Sequence, residues 1–237
     1  MCAPEQRHIQ NAFAFEFSKV ETPVIRSRML GHLALVEETL ARAVETAIGM
    51  EGERAEITPY QPPVDLDPSP ALSIVGKAKP MLKGRKIGAM VTDGADGDCL
   101  EALRGALEAE GAELVIVAPK IGGVRLKLGK HLPADMALSG APSVFFDAVA
   151  IFASAEGIKQ LLKKSAAVDW VRDAFGHLKV IGHTAAARPL FAKAGLADDL
   201  DEGVIELDAR ASVGKYIEAA KQQRVWDREA RLAESDA

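Results

Sequence analysis

Residues 84–118, GRKIGAMVTDGADGDCLEALRGALEAEGAELVIVA, decide the fold of this chain. Two short apolar runs, 86–92 and 113–118, flank a segment, 100–109, whose apolar residues recur at helical spacing. Each run is apolar at nearly every position, which is typical of a strand buried on both faces of a parallel sheet. The stretch therefore predicts a strand, a crossover helix and a second strand parallel to the first.

The same alternation continues to residue 207. It predicts an α/β domain with a doubly wound parallel sheet flanked by helices. The predicted strands are 149–153, 179–183 and 203–206, and the predicted helices are 155–164, 166–175 and 185–194. A polar helix, 212–233, closes the chain, and its few apolar residues predict that it docks by one edge.

The N-terminal region predicts helices alone. A short helix covers residues 5–17, and a longer one begins with Thr22 as N-cap and Pro23 at its first position and ends at Gly49. The apolar residues of the longer helix form one stripe, which needs a partner surface. They are Ile25, Leu30, Leu33, Val36, Leu40, Val44 and Ile48.

Prolines dominate the next segment, residues 51–83. They occupy positions 59, 62, 63, 68, 70 and 80, where they prevent a long helix or a central strand. The sequence therefore predicts a helical segment (1–50), a proline-rich linker (51–83) and an α/β domain with a C-terminal helix (84–237).

Composition limits the range of functions. The 237 residues carry a net charge of −5, which disfavours a nucleic-acid partner because such binding needs a concentrated basic surface. Cys2 and Cys99 are too few for a disulfide framework or a thiolate metal site, which fits a reducing compartment. No apolar run reaches the roughly 18 residues that span a bilayer, and the N-terminus lacks a signal-peptide pattern. We therefore expect a cytoplasmic protein that has no membrane partner.

The loop 93–98, DGADGD, follows the first predicted strand, where parallel sheets commonly bind ligands. Its glycines and the helix behind it are typical of phosphate binding, but Asp93, Asp96 and Asp98 would repel a phosphate. The spacing matches neither the dinucleotide fingerprint, nor the P-loop, nor the EF-hand. We expect Asp96 or Asp98 to cap the helix instead.

A second strand-to-helix corner, 182–186 (GHTAA), lies where many α/β enzymes carry a nucleophile. Its central residue, Thr184, is β-branched and disfavours the positive φ of a nucleophile elbow, which predicts a relaxed turn. His183 has no visible acidic partner, and no His follows it to serve as a base. Cys99 is a further candidate, although neighbouring carboxylates would raise the pKa of its thiol. The residues thus predict no complete catalytic, cofactor or metal site, with Thr184, His183 and Cys99 as weak candidates.

Two stretches resemble one known family. Residues 11–49, including AFAFE (12–16) and KVETPVIR (19–26), look like the helical end of a haem catalase. Residues 84–207, with KIGAMV (86–91), TDG (92–94) and AP (118–119), resemble the extra C-terminal domain of large-subunit catalases. That resemblance implies a flavodoxin-like fold related to class I glutamine amidotransferases and PfpI proteins.

The chain departs from these families at their reactive sites. The distal His and Asn and the proximal Arg-x-x-x-Tyr of a haem catalase have no counterpart, and the elbow cysteine of PfpI enzymes falls at Thr184. The resemblance therefore implies a non-catalytic module with a scaffold or chaperone-like role in hydrogen-peroxide detoxification. Its expected partners are copies of itself, a haem catalase core or unfolded client proteins.

Three alternatives remain open. The first is a PfpI-superfamily enzyme with a non-standard site, which could use Cys99. The second is a small-ligand or flavin-binding protein of flavodoxin type, which the acidic loop 93–98 disfavours. The third is a subunit that associates with a separate haem catalase core.

Overall fold

A computed structural model describes residues 1–59, 66–67 and 69–235. The chain divides into two compact units, Met1–Ala78 and Lys79–Ala237. The prolines at 62, 63 and 68 in the predicted linker lie outside the described residues, and the division into three regions stays a prediction. Within the described ranges, no helix is both long and apolar enough to cross a membrane.

Three helices build the first unit, which we call the helical unit: α1 (Ala3–Ser18), α2 (Pro23–Val36) and α3 (Glu38–Ile48). Gly49 ends α3 with φ 66°, a left-handed conformation that glycine adopts without strain. The prediction of a single helix from Pro23 to Gly49 is wrong. Glu37 has extended backbone (φ −161°, ψ 127°) and separates α2 from α3, which folds back against α1 and α2.

The helical unit has its own apolar core. Its buried residues are Phe17, Leu30, Leu33, Leu40, Ala41, Val44 and Met50. The predicted stripe is therefore divided, because Leu30 and Leu33 face this core whereas Ile25 and Val36 are exposed. Most of the stripe finds its partner inside the unit, and only a part remains on the surface.

Glu5 ties a later segment of the helical unit to α1. One carboxylate oxygen accepts hydrogen bonds from the N–H groups of Val75 (3.0 Å) and Ile74 (2.5 Å), and the other accepts from Cys2 (2.8 Å). The bonds from Val75, Ile74 and Cys2 favour the ionised form and lower the pKa of Glu5 to about 2. The charge of Glu5 thus helps to hold this segment in place.

The second unit, which we call the α/β unit, is centred on a parallel sheet. Its described strands are β1 (Lys86–Val91), β2 (Glu113–Ala118), β3 (Val124–Arg125), β4 (His131–Leu132), β5 (Met136–Ala137), β6 (Ala148–Phe152), β7 (Ile181–His183) and β8 (Val204–Glu206). Six of them form one sheet in the order β5-β2-β1-β6-β7-β8, and every neighbouring pair is parallel. The predicted doubly wound, flavodoxin-like α/β class is confirmed.

The strand order reverses next to β1. From β1 the chain first builds outward through β2 to β5, and then returns to place β6 on the other side of β1. Met90 is level with Val117 on β2 and with Ile151 on β6. The sheet therefore has its topological switch point between β1 and β6. The sequence analysis missed β3, β4 and β5, because two-residue strands are too short to show a periodicity.

Helices cover both faces of this sheet: α4 (Gly97–Ala109), α5 (Ala155–Leu161), α6 (Ser165–Gly176), α7 (Arg188–Lys193), α8 (Arg210–Lys221) and α9 (Trp226–Ser235). Leu103 of α4 and Tyr216 of α8 belong to the core on one face. Trp170 of α6 and Phe191 of α7 belong to the core on the other. Burial on both faces explains why the central strands are apolar at nearly every position.

Several predicted helices differ in extent. The helix predicted at 155–164 ends at Leu161, and the one predicted at 185–194 opens with a 3-10 turn, Ala185–Ala187, before α7. The single helix predicted at 212–233 is wrong, because Gln223 adopts φ 67° and the chain breaks into α8 and α9. After the break, Arg228 of α9 is fully buried.

Candidate functional site at the carboxyl edge of the sheet

The carboxyl ends of the parallel strands meet at one edge of the sheet, where open α/β proteins bind their ligands. The loop after β1 contains residues 93–98, and the turn after β7 contains Thr184. Both features identified from the sequence therefore lie at this edge. They are separated by β6, which lies between β1 and β7.

The glycine-rich loop after β1 is held by the β3–β4 hairpin. Asp93 Oδ1 accepts a hydrogen bond from the N–H of Arg125 at 2.7 Å, and the N–H of Gly94 donates to the Arg125 carbonyl at 2.8 Å. Asp96 caps α4 by accepting from the N–H of Asp98 at 3.0 Å, which confirms the predicted cap. The carboxylates of Asp93 and Asp96 are thus bound to backbone N–H groups and lie in different surroundings.

Hydroxyl groups join the loop after β6 to the end of β1. The N–H of Ser154 donates to Thr92 Oγ1 at 3.0 Å, and the Ser154 hydroxyl donates to the carbonyl of Asp93 at 2.6 Å. Ser154 also caps α5 by accepting from the N–H of Gly157 at 2.9 Å. A Cβ at Gly157 would lie 2.0 Å from Thr92 Oγ1, so this close approach of α5 to β1 requires glycine.

A cavity of about 440 Å³ lies at this point, and we call it the switch-point cavity. Its polar walls carry Asp93, Lys120, Glu156, Gln160 and Lys164, while much of the remaining wall is apolar or backbone. The volume lies within the range of about 300–1,000 Å³ that small-molecule sites occupy in proteins. The cavity is large enough for a small organic ligand.

A second cavity of about 330 Å³ lies between the start of α4 and the hairpin turn. Four of its five charged side chains are paired: Lys127 lies 3.8 Å from Asp96, and Lys130 lies 3.2 Å from Glu101. Of the three carboxylates in the loop 93–98, only Asp93 lines the switch-point cavity. The sequence-based argument that three clustered carboxylates repel a phosphate therefore does not apply to the switch-point cavity.

The elbow position, Thr184, carries a hydroxyl that is already bonded. Its backbone has φ −78° and ψ 153°, which confirms the expected relaxed turn. Its Oγ1 donates to the Ala153 carbonyl at 3.1 Å and accepts from the Ala153 N–H at 3.1 Å. The hydroxyl thus ties the end of β7 to the end of β6.

His183 is buried in the sheet next to Thr184. Its ring meets Phe191 edge-on at 5.0 Å between centroids, and its Nδ1 lies 3.1 Å from the Thr184 carbonyl oxygen. Burial lowers the pKa of His183. Glu206 lies level with His183 on β8, but its carboxylate accepts a hydrogen bond from Arg188 at 2.6 Å. The surroundings of His183 are those of a packed core residue.

Cys99 lies on α4, away from this pair. Its thiol is half-buried and lies 3.8 Å from the carbonyl oxygen of Ala209. Burial, followed by nearby carboxylates of which Asp208 is the foremost, raises the pKa of Cys99. The structure therefore brings His183 and Thr184 together but places Cys99 on a helix that covers the other face from α7.

The described tyrosine and the two cavities at the carboxyl edge show no ligand placed for a haem group. Tyr60 lies outside the described residues, and the hydroxyl of the other tyrosine, Tyr216, donates to the Val149 carbonyl at 3.0 Å inside the core. Neither cavity at the carboxyl edge has a His, Cys or Tyr in its wall. No cluster of three or more metal-binding side chains occurs in the described part of the chain.

Sequence reasoning missed Lys120 and Lys164, the two cations of the switch-point cavity. They are far apart in sequence and belong to no recognisable motif, so only the strand order brings them to one cavity. The one available signal was positional: Lys120 follows a predicted strand at its carboxyl end.

Comparisons with known proteins agree with one another. The family model for the C-terminal domain found in long catalases matches residues 83–230, and the model described as catalase-related immune-responsive matches residues 1–48. Catalase C of Rhizobium meliloti is 47% identical over 95% of this chain. The proteins named Catalase HPII from Pseudomonas putida and Mycobacterium avium are each 32% identical, over 97% and 96% of it. The chain spans about a third of the length of these relatives (32%, 32% and 34%).

Proposed function

This chain belongs to the family of C-terminal domains found in long catalases, and we propose that it is a non-catalytic module with an assembly and chaperone-like role. In this role it supports a hydrogen-peroxide-detoxifying system by binding apolar surface of other protein chains or of its own copies. The α/β unit is the folded body of the module, and the helical unit supplies the binding surface.

The observation that carries this proposal is the exposed apolar side chains of α2. Ile25, Met29 and Val36 are 47%, 38% and 76% exposed. Their spacing of four and seven residues places them along one face of the helix, which we call the open face of α2. The core of the helical unit is closed without them. Exposed apolar side chains aligned along one helix face favour a site that binds another protein.

The test is suppression of heat-induced aggregation of a client enzyme, followed by light scattering at an equimolar ratio. The I25S/V36S double variant removes the two most exposed of the three apolar side chains of the open face and is expected to lose most of the suppression. The matched control is the I121S/L128S double variant, which removes two comparably exposed apolar side chains from the α/β unit. Equal losses in the two variants, or no suppression by the unaltered chain, would refute the proposal.

A catalytic role at the elbow is less well supported by the site. Thr184 Oγ1 has both of its bonds to Ala153, and the raised pKa of Cys99 keeps the thiol protonated at neutral pH. We expect iodoacetamide at pH 7 to alkylate Cys99 more slowly than free cysteine, as followed by peptide mass spectrometry. A faster rate would favour the PfpI-type enzyme instead.

Association with a catalase core is a second candidate, favoured by the coverage of the relatives. The chain matches only about a third of each (32% of Catalase C). The experiment mixes this chain with the remaining part of Rhizobium meliloti Catalase C, produced separately, and measures co-elution by size-exclusion chromatography with light scattering. A stable complex that the I25S/V36S variant fails to form would support this role, and independent elution would exclude it for that core.

A further inference from the structure

We propose that the switch-point cavity binds a small organic dianion, either a dicarboxylate or a phosphate monoester, between Lys120 and Lys164. Both lysines lie in its wall, Lys120 in the loop after β2 and Lys164 in the turn after α5. A dianion site here does not depend on the assembly role proposed above, because it lies in the α/β unit and uses none of the residues of α2.

The charged side chains of the cavity differ in whether they already have a partner of opposite charge. Neither Lys120 nor Lys164 forms an ion pair with a carboxylate among the described residues. By contrast, Asp93 Oδ1 accepts the Arg125 N–H at 2.7 Å, and Glu156 pairs with Lys159 at 3.0 Å. The cavity wall therefore carries two lysines without an ion pair and two carboxylates, of which Glu156 is paired with a cation and Asp93 is bonded to a backbone N–H group. Charge-assisted hydrogen bonds from lysine favour a carboxylate or phosphate group in such a site.

The rest of the wall suits the carbon skeleton of a small metabolite. Pro119 and Val124 contribute apolar surface, and Gln160 adds an amide that can donate to or accept from a polar substituent. Gly123 and Gly157 expose backbone without side chains. A volume of about 440 Å³ admits a compact dianion of this kind.

The fold supplies an independent reason to expect a ligand at this place. The cavity lies at the carboxyl ends of β1, β2 and β6, where the strand order reverses. In open parallel sheets the diverging loops at the switch point leave a crevice, and ligands bind there. The Gly157 contact with Thr92 keeps α5 close to β1, so the cavity is part of the folded framework.

The experiment is a titration of the whole ¹⁵N-labelled chain, followed through the amide signals of Gly123 and Gly157. The probes are succinate, glycerol 3-phosphate and inorganic phosphate, each at constant ionic strength. We expect at least one organic dianion to give saturable shifts at both glycines with one common Kd. The K120A/K164A double variant is expected to weaken this binding by roughly 100-fold, about tenfold for each lost charge-assisted bond.

The matched control is the K163A variant, which removes the exposed lysine next to Lys164 that does not line the cavity. It should bind the same dianion within about twofold of the unaltered chain, a difference that corresponds to well under 1 kcal/mol. Succinate and glycerol 3-phosphate together distinguish the carboxylate from the phosphate class. Shifts that persist in K120A/K164A, equal weakening in K163A, or no saturable shift with either organic dianion would each overturn the assignment.

Discussion

Replacing Arg228 by Met is expected to destabilise the α/β unit strongly. The guanidinium is fully buried and binds both carboxylate oxygens of Asp201, at 2.6 and 2.8 Å. It also donates to the carbonyls of Phe175 (3.1 Å) and Lys179 (2.9 Å) and lies 4.0 Å from the Phe175 ring centroid. One side chain thus joins α9 to α6, to the strand β7 region and to the loop before β8.

The expected magnitude follows from the partners that Arg228 leaves behind. Removing one member of a buried ion pair typically costs about 3–5 kcal/mol, because the other charge stays buried without its partner. Asp201 would keep Arg231 at 2.9 Å and the Gly203 N–H at 2.9 Å, which offsets part of the loss. We therefore expect R228M to lower the free energy of unfolding by about 3 kcal/mol.

The assay is urea unfolding followed by tryptophan fluorescence. Both tryptophans, Trp170 and Trp226, lie in the α/β unit, so their signal reports on this unit alone. The control is R231M, which removes a 48% exposed arginine from the same carboxylate and should cost about 0–1 kcal/mol. A D201L/R228M double variant, which leaves no buried charge behind, should be more stable than R228M.

Two results would refute this reasoning. The first is a loss in R228M no larger than that in R231M, which would mean that burial does not strengthen the contribution of the pair. The second is a double variant less stable than R228M, which would mean that the lost packing, and not the unpaired Asp201 carboxylate, dominates the cost.

Three further predictions concern other buried groups. Burial lowers the pKa of Lys179 to about 8. Because the unfolded chain then binds more protons than the folded chain between about pH 8 and 10.4, the free energy of unfolding rises with pH over that window. Urea midpoints of the unaltered chain should rise across the window, and those of K179M should not. The pKa of Glu5 is lowered to about 2, so the stability that the ionised carboxylate contributes is present above about pH 4.5 and is lost as the pH falls through 2. E5Q should weaken the hydrogen-exchange protection of the Ile74 and Val75 amides at pH 7. Equal protection of these amides in E5Q would contradict this. G157A should lower the free energy of unfolding in urea by about 1–3 kcal/mol, because its Cβ would clash with Thr92. The control G105A, whose Cβ would lie in open space on α4, should raise it by up to about 1 kcal/mol. An unchanged free energy of unfolding in G157A would show that α5 can move away from β1.

The sheet could be predicted from the sequence because its strands are buried on both faces. Runs such as 114–118 are apolar at every position, and no amphipathic helix has that pattern. The breaks within the helices could not be predicted, because neither lies at a Gly or Pro. Glu37 is a good helix former locally, and its extended backbone lets α3 close the core of the helical unit. The turn at Gln223 likewise brings Arg228 to Asp201, a contact that no local propensity encodes.

The candidate site was partly predictable for a different reason. A sequence motif consists of residues that are close in sequence, so the corner at Thr184 and the loop 93–98 could be identified from the sequence. A cavity between loops is lined by residues that the strand order brings together. Lys120 and Lys164 could therefore be identified only from the arrangement of β1, β2 and β6 in the sheet.

The carboxyl edge of the sheet thus has a closed part and an open part. At β7 the Thr184 hydroxyl is bonded at both of its functions to Ala153, and the His183 ring packs against Phe191. Polar groups that are already satisfied have little to offer a ligand, because each new bond must replace an existing one. At the switch point, Lys120 and Lys164 line the cavity and form no ion pair within the part of the chain that the structure describes. We therefore place the proposed dianion site at the switch point. The proposed assembly surface lies in the other unit, the helical unit. K120A/K164A should therefore still suppress aggregation, and I25S/V36S should still bind the dianion. Loss of both activities in either variant would contradict this separation.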